Sequence, residues 1–326
     1  MGFRFQRLDK LVGIPLTREP SAQEKSVLAS ELGSTEIHEA DFGRVSARSR
    51  NLRDSLLGKI PSSLLGALPR SLDIIGDIAI TELSPQLDSY SSEVGTGILQ
   101  VNPNIRLVLK KASDVTGTFR TREFKKIAGF GGTETVHREF GCKYHLNVTS
   151  TYFNPRLGNE RRRVADQVSA NDVVVDMFAG VGPYSILIAK LQRARIYSID
   201  INPSAVDYLK ENILSNEVAE YVTPYLGDAR VLSMSMLRGT ADRVVMNLPS
   251  EAESFLDAAS LVLRPTGGRL HFYEFAQRGV NLDTLRERFN SVMSSRGRNV
   301  KKITECKIVR EISPSRIQIA IDALVE

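Results

Sequence analysis

Three aspartates stand where a short apolar run meets a turn: Asp176 in DVVVDMFAG, Asp200 in IYSIDIN and Asp228 in YLGDAR. An ionised aspartate accepts hydrogen bonds on two oxygens and donates none, so Asp200 suits the two hydroxyls of a ribose and Asp228 an exocyclic amine. Ala179, Gly180 and Gly182 follow Asp176. Two glycines let backbone approach a ligand, and the helix start behind them offers unpaired N–H groups. The turn departs from the GxGxxG of dinucleotide sites, because a third glycine is absent and Pro183 occupies the first helical turn. A ligand with ribose and adenine but no phosphates fits better, and S-adenosylmethionine, with its positive sulfonium, has that chemistry. A fourth feature, VVMNLPS (244–250), is an apolar run that stops at Asn247, Leu248 and Pro249. Proline removes a donor and holds Leu248 extended, so the run ends in exposed polar groups, where α/β proteins bind ligands. The cofactor site expected from these motifs comprises Asp176, Phe178, Ala179, Gly180, Val181, Gly182, Asp200, Ile201, Asp228, Ala229, Asn247 and Pro249.

These residues need a scaffold that gathers strand ends. From Asp172 onward strands and helices alternate, the pattern of a parallel sheet covered on both faces. DVVVDMFAG, ARIYSIDIN, VTPYLGDAR, ADRVVMNLPS and RPTGGRLHFYEFA read as strands. PYSILIAKLQ, SAVDYLKENILSN with Ser204 as its cap, AESFLDAASLVL and DTLRERFNSVMSSRG read as helices. KKITECKIVREISPSRIQIAIDALV reads as two further strands.

Upstream the texture changes. SLDIIGDIAITEL (71–83), IRLVLKK (105–111) and KYHLNVTSTYF (143–153) read as strands of a small α+β module, and QEKSVLASELG and RDSLLGKIPSSLLGAL as short amphipathic helices. The expected class is α/β: a Rossmann-like catalytic domain over 154–326, a middle α+β RNA-binding module over 67–153 and an N-terminal accessory unit over 1–66.

TYFNPRLGNERRRVADQV, DMFAGVGPYSI, SIDINPSAV and MNLPS, in that order, resemble the tRNA guanine-37 N1-methyltransferases of archaea and eukaryotes, a class I S-adenosylmethionine-dependent family. The resemblance covers roughly residues 70–326. It implies methylation of a ring nitrogen that carries a proton at neutral pH, so a base must remove that proton. Glu160 in GNERRR resembles the family's general base. Arg120 in GTFRTRE resembles the arginine that meets charge growing on O6, with its neighbour Arg122 the alternative. Asn247 can donate or accept at the edge of the base. NLPS also departs from the Asn/Asp-Pro-Pro-aromatic loop of amine methyltransferases, since Ser250 cannot stack on a base, and this favours a ring nitrogen over an amine. Plainer roles exist for each: a helix-surface ion pair for Glu160, a phosphate contact for Arg120, a helix cap near Ser250 for Asn247. Competing activities are methylation of a tricyclic wybutosine-type intermediate as well, aminocarboxypropyl transfer, or RNA binding without catalysis. Asn-Leu-Pro and Glu160 speak against the aminocarboxypropyl transfer.

The chain has 326 residues, a formal charge of +5, 42% hydrophobic and 25% charged residues, which is ordinary for a globular protein of two or three domains. The surplus of cations concentrates in the middle of the chain, at Arg106, Lys110, Lys111, Arg120, Arg122, Lys125, Lys126, Arg138, Lys143, Arg156 and Arg161 to Arg163, the footprint of a face for tRNA anticodon loop and body. Phe119, Phe130, Tyr152, Phe153 and Tyr184 lie among or near them and could stack on an extruded base. No membrane segment or secretory leader is expected, and the chain reads as a cytoplasmic monomer. Cys142 and Cys306 lack CxxC spacing and only four histidines accompany them, so no metal is expected in the chemical step.

Overall fold

A computed structural model describes Leu16, residues 18–33, 51–114 and 117–326, and the backbone of four short strands, β1 (Gly2–Phe3), β2 (Gln6–Leu8), β3 (Leu11–Gly13) and β4 (Arg44–Val45). Helix α1 (Ala22–Leu32) starts at a capping box in which Ser21 and Glu24 satisfy each other's backbone N–H groups, and none of its residues is buried. Helix α2 (Leu52–Leu56) and the 3₁₀ turn Ser62–Ala67 precede a sheet made of β5 (Asp73–Ile75), β6 (Ile78–Thr81), β7 (Leu107–Lys111) and β8 (Phe124–Gly129), in that order. The stretch 71–83, expected as one strand, is two: β5 and β6 pair antiparallel across Gly76 and Asp77. Helix α3 (Ser91–Val101) crosses from β6 to the parallel β7. Leu56, Ile60 and Leu65 pack in one core with Ala79, Val94, Ile98, Val108 and Ile127. The stretch from Leu52 onward therefore shares its core with the middle module, although the sequence placed it in the accessory unit.

The next hairpin, β9 (Glu134–Glu139) with β10 (Cys142–Asn147), packs Cys142, Tyr144 and Leu146 in one core with Tyr184, Leu187 and Leu209 and also with Ile75, Ile78 and Leu107 of the preceding sheet. Two asparagines one helical turn apart, Asn212 and Asn216, complete its edge: their Oδ1 atoms accept from His145 N at 2.7 Å and Lys143 N at 2.9 Å, and their Nδ2 atoms donate back to the same residues' carbonyls. Unpaired edge groups are thus satisfied by side chains of a helix. The strand expected over 143–153 stops at Asn147, where Thr151 N turns back to the Asn147 carbonyl.

Helix α4 (Gly158–Ala165) leads into a seven-stranded sheet: β11 (Val173–Asp176), α5 (Pro183–Gln192), β12 (Arg195–Asp200), α6 (Pro203–Ser215), β13 (Val222–Leu226), α7 (Ala229–Ser235), β14 (Arg243–Met246), α8 (Leu256–Val262), β15 (Gly268–Gln277), α9 (Leu282–Ser295), β16 (Val300–Ser313) and β17 (Arg316–Val325). Its strand order is β13-β12-β11-β14-β15-β17-β16, parallel from β13 to β15 and antiparallel at β17 and β16. The chain leaves β11 toward β12 on one side and returns as β14 on the other, so a crevice opens at the carboxyl ends of β11 and β14. Strands β11 and β14, continuous in valine, are buried on both faces. Helix α6 is capped by Asn202, whose Oδ1 accepts from Ser204 N, with Pro203 at the first helical position; the expected cap, Ser204, is already helical. Cys142 and Cys306 are free and buried in different cores. Among the described residues no helix is long and apolar enough to cross a membrane.

Candidate active site

The turn after β11 is built for close backbone approach. Gly180 has φ +56° and Gly182 φ +92°, and a Cβ on Gly182 would lie 2.5 Å from Leu209 Cδ1, so only glycine lets α5 start against α6. Gly180 N donates to Asp200 Oδ2 at 2.7 Å, and Asn202 N donates to Oδ1 at 2.9 Å. Asp200 thus fastens the first turn to the end of the second strand, and each oxygen keeps a lone pair for a ligand hydroxyl. Burial raises its pKa, and the N–H groups of Asn202, Gly180 and Ile201 oppose that rise. Asp228 caps α7 through Arg230 N at 2.7 Å, and the Arg230 guanidinium stacks 3.8 Å from the Phe255 ring centre.

A cavity of about 370 Å³ lies between these strand ends and the 117–120 turn of the middle module. Its walls include Phe178, Gly180, Asp200, Ile201, Asp228, Ala229, Asn247 and Pro249, all expected from the sequence. Arg120 lines it too, at φ 54°, a strained backbone for a residue other than glycine. Its Nη1 donates to Ser250 Oγ at 2.5 Å, so the serine that cannot stack instead joins the middle module to the NLPS loop. Arg122 does not line the cavity. Phe119 and Tyr152 do, whereas Phe153 and Tyr184 are buried in the core and Phe130 is exposed elsewhere.

Asp176, Ala179, Val181 and Gly182 lie beneath the cavity and do not line it. Asp176 is 1% exposed; its Oδ2 accepts from Ser185 Oγ at 2.8 Å and its Oδ1 has no partner among the described residues. Burial pushes its pKa to about 7, against the hydrogen bonds from Ser185 and Phe178 N. A native acid whose pKa lies above its unfolded value keeps its proton longer when folded, so its contribution to stability falls as pH rises from about 4 to about 7. Asp176→Asn removes that titration. Its melting temperature relative to the parent is expected to be more favourable at about pH 8 than at about pH 5. An equal offset at both would contradict a protonated Asp176.

Glu160 is not among the cavity's lining residues. It is 5% exposed on α4, and its carboxylate accepts from Arg163 at 2.6 Å and Tyr273 OH at 2.8 Å and pairs with Lys307 Nζ at 3.1 Å. Burial alone would raise its pKa; Arg163, Tyr273 and Lys307 outweigh it and hold the carboxyl below its ordinary value. Arg163 also grips Asp322, which in turn meets His271. The plainer sequence reading, a helix ion pair, is correct in spacing, but the pair is buried. Tyr273 and Lys307, which hold the carboxylate, pair with Ala320, two residues from the cavity-lining Gln318 on β17.

The sequence reading missed Phe275, Arg310 and Gln318, which line the cavity from the antiparallel strands. Gln318 is 1% exposed in the apolar run RIQIAI, and a buried amide in such a strand is the signal that could have found it. The basic surface is thinner than the sequence implied. Arg106, Lys110, Lys111, Arg156 and Arg161 to Arg163 are ion-paired, while Arg120, Arg122, Lys125, Lys126, Arg138 and Lys143 have no acidic partner within 4 Å among the described residues.

A parallel sheet with its switch point between β11 and β14, a glycine turn fastened to a strand-end aspartate and an antiparallel β15–β17 pair at the far side define a class I methyltransferase. Residues 135–301 match the TRM5/TYW2 methyltransferase domain and residues 52–133 the TYW2 N-terminal domain. The chain is 40% identical over 287 residues to the tRNA (guanine(37)-N(1))-methyltransferase Trm5b of Pyrococcus abyssi, covering 88% of this chain and 84% of that one. It therefore belongs to the TRM5/TYW2 methyltransferase family. The crystal structure of the Pyrococcus abyssi Trm5b superposes with a TM-score of 0.76 at 37% identity, over 99% of this chain and 91% of that one. The complex structure of aTrm5 and tRNALeu superposes with a TM-score of 0.74 at 30% identity, over 99% and 92%.

Proposed function

We propose that the chain methylates N1 of guanine at position 37 of tRNA, with S-adenosylmethionine as the donor. The observation that carries this reading is the joint construction of one cavity by two modules, with Arg120 of the middle module bonded to Ser250 beside Asn247. The cofactor's chemistry fits the walls: Asp200 for the ribose hydroxyls, Asp228 for the adenine amine and the Gly180 turn for close approach. S-adenosylmethionine, when bound, supplies an electrophilic methyl group on a positive sulfonium. The chain's own residues handle the base. Arg120 offers a fixed cation to O6, where negative charge collects as N1 loses its proton. Asn247 holds the ring edge. Glu160 is the base that takes the proton, and because it is buried and does not line the cavity, Lys307, its partly exposed partner, must give way to open the carboxylate to the target. A carboxylate held at low pKa is a weak base, so the work of Arg120 and Glu160 is coupled: stabilising O6 makes N1–H acidic enough to transfer. Lys125, Lys126, Arg138 and Lys143, free of ion pairs among the described residues, serve the phosphates of tRNA. The test compares transcripts that differ only at position 37. Methyl transfer to guanine and none to adenine is expected; equal transfer to both would overturn the reading.

A further inference from the structure

The amide of Asn247 is oriented by a relay that starts outside the motifs. Arg310 Nε donates to Gln318 Oε1 at 2.9 Å, and Gln318 Nε2 donates to Asn247 Oδ1 at 3.4 Å. A guanidinium has only donors, so the Gln318 atom facing it must be the oxygen. That leaves Gln318 its nitrogen for Asn247, and the Asn247 atom facing a nitrogen donor must be Oδ1. The direction of both amides is thereby determined by the arginine. Asn247 Nδ2 has no partner among the described residues and remains to donate into the cavity that Asn247 lines.

We propose that Gln318 and Arg310 are positioning residues that hold Asn247 as a hydrogen-bond donor toward the target base. The inference rests on the proposed function and sharpens it. A fixed donor suits the O6 acceptor of a keto purine, which has two lone pairs and can serve Arg120 and Asn247 together. Adenine presents an amine there, and donor against donor is penalised. The placement of Arg310 supports the relay. It sits on β16 at a register shift between Ile308 and Arg310, which re-aims the side chain, and it has no carboxylate within 4 Å among the described residues. Its hydrogen bond to Gln318 is thus its principal polar commitment among the described residues.

The test is a double-mutant cycle. Gln318→Glu keeps size and the acceptor for Arg310 but has no N–H for Asn247. It is expected to lower kcat about tenfold, with S-adenosylmethionine affinity within about twofold of the parent, and to cost less than about twofold in an Asn247→Ala background. Arg310→Met should show the same pattern from the half-buried rim, and Arg310→Lys should recover part of the rate that Arg310→Met loses. The Arg310 pair decides the matter if Gln318→Glu fails to fold. An equal cost with and without Asn247, no cost at all, or a loss confined to cofactor affinity would each overturn the proposal. The parent enzyme on the two position-37 transcripts keeps the readings apart: no guanine methylation sinks the proposed function, whereas normal parent activity with an additive cycle sinks only the relay.

Discussion

Replacing Glu160 by glutamine is expected to slow methyl transfer about 100-fold while leaving S-adenosylmethionine affinity within about twofold. Glutamine keeps the volume and an acceptor for Tyr273 OH, and Arg163 retains Asp322, so the buried cluster stays paired. What disappears is the ability to take a proton. Affinity is spared because Glu160 does not line the cavity and its polar partners are Arg163, Tyr273 and Lys307, none of them assigned to ribose or adenine. Because Arg163 and Lys307 keep the carboxyl ionised, the acid limb of kcat/KM should fall below the ordinary carboxyl value of 4.5. Small, equal effects on rate and cofactor affinity would remove the base from this residue, whereas an acid limb near neutrality that vanishes in Glu160→Gln would keep the base there and contradict only its lowered pKa.

Asp200→Asn should do the reverse. Its carboxylate accepts from Gly180 N and Asn202 N and is the proposed acceptor for two ribose hydroxyls. An amide has one acceptor oxygen, so its NH₂ must face one of those backbone N–H groups or the ligand. Hydrogen bonds to a charged group contribute about 1.5–3 kcal/mol each, and losing one together with the shape of the Gly180 turn predicts a roughly 100-fold drop in S-adenosylmethionine affinity. At saturating cofactor kcat should fall far less, and calorimetry separates the two effects. Unchanged affinity would place the ribose elsewhere.

Asp200, Asp228 and Asn247 were legible because each stands at or within two residues of the end of a parallel strand, and parallel strands deliver their carboxyl ends to one edge whatever the details of packing. Asp176 ends a strand too, yet lies beneath the cavity: Met177 and Phe178 carry the wall, and Ser185, itself bonded to Ser198, draws the carboxylate inward. Spacing alone does not distinguish a residue that touches a ligand from one that holds the turn. Arg310 and Gln318 were harder still. Their approach to Asn247 depends on the antiparallel register of β15, β17 and β16 and on its shifts, which follow from pairing between distant segments. The contacts of the hairpin from Glu134 to Asn147 with the catalytic domain were hidden for a similar reason: its partners, Asn212 and Asn216, lie about seventy residues away.

The most direct measurement is mass analysis of the nucleosides from a tRNA carrying guanine at position 37, after incubation with the enzyme and S-adenosylmethionine. One methylated guanosine that co-migrates with the N1 isomer is the predicted product. An aminocarboxypropyl adduct, or a methyl group on any other atom, would contradict it.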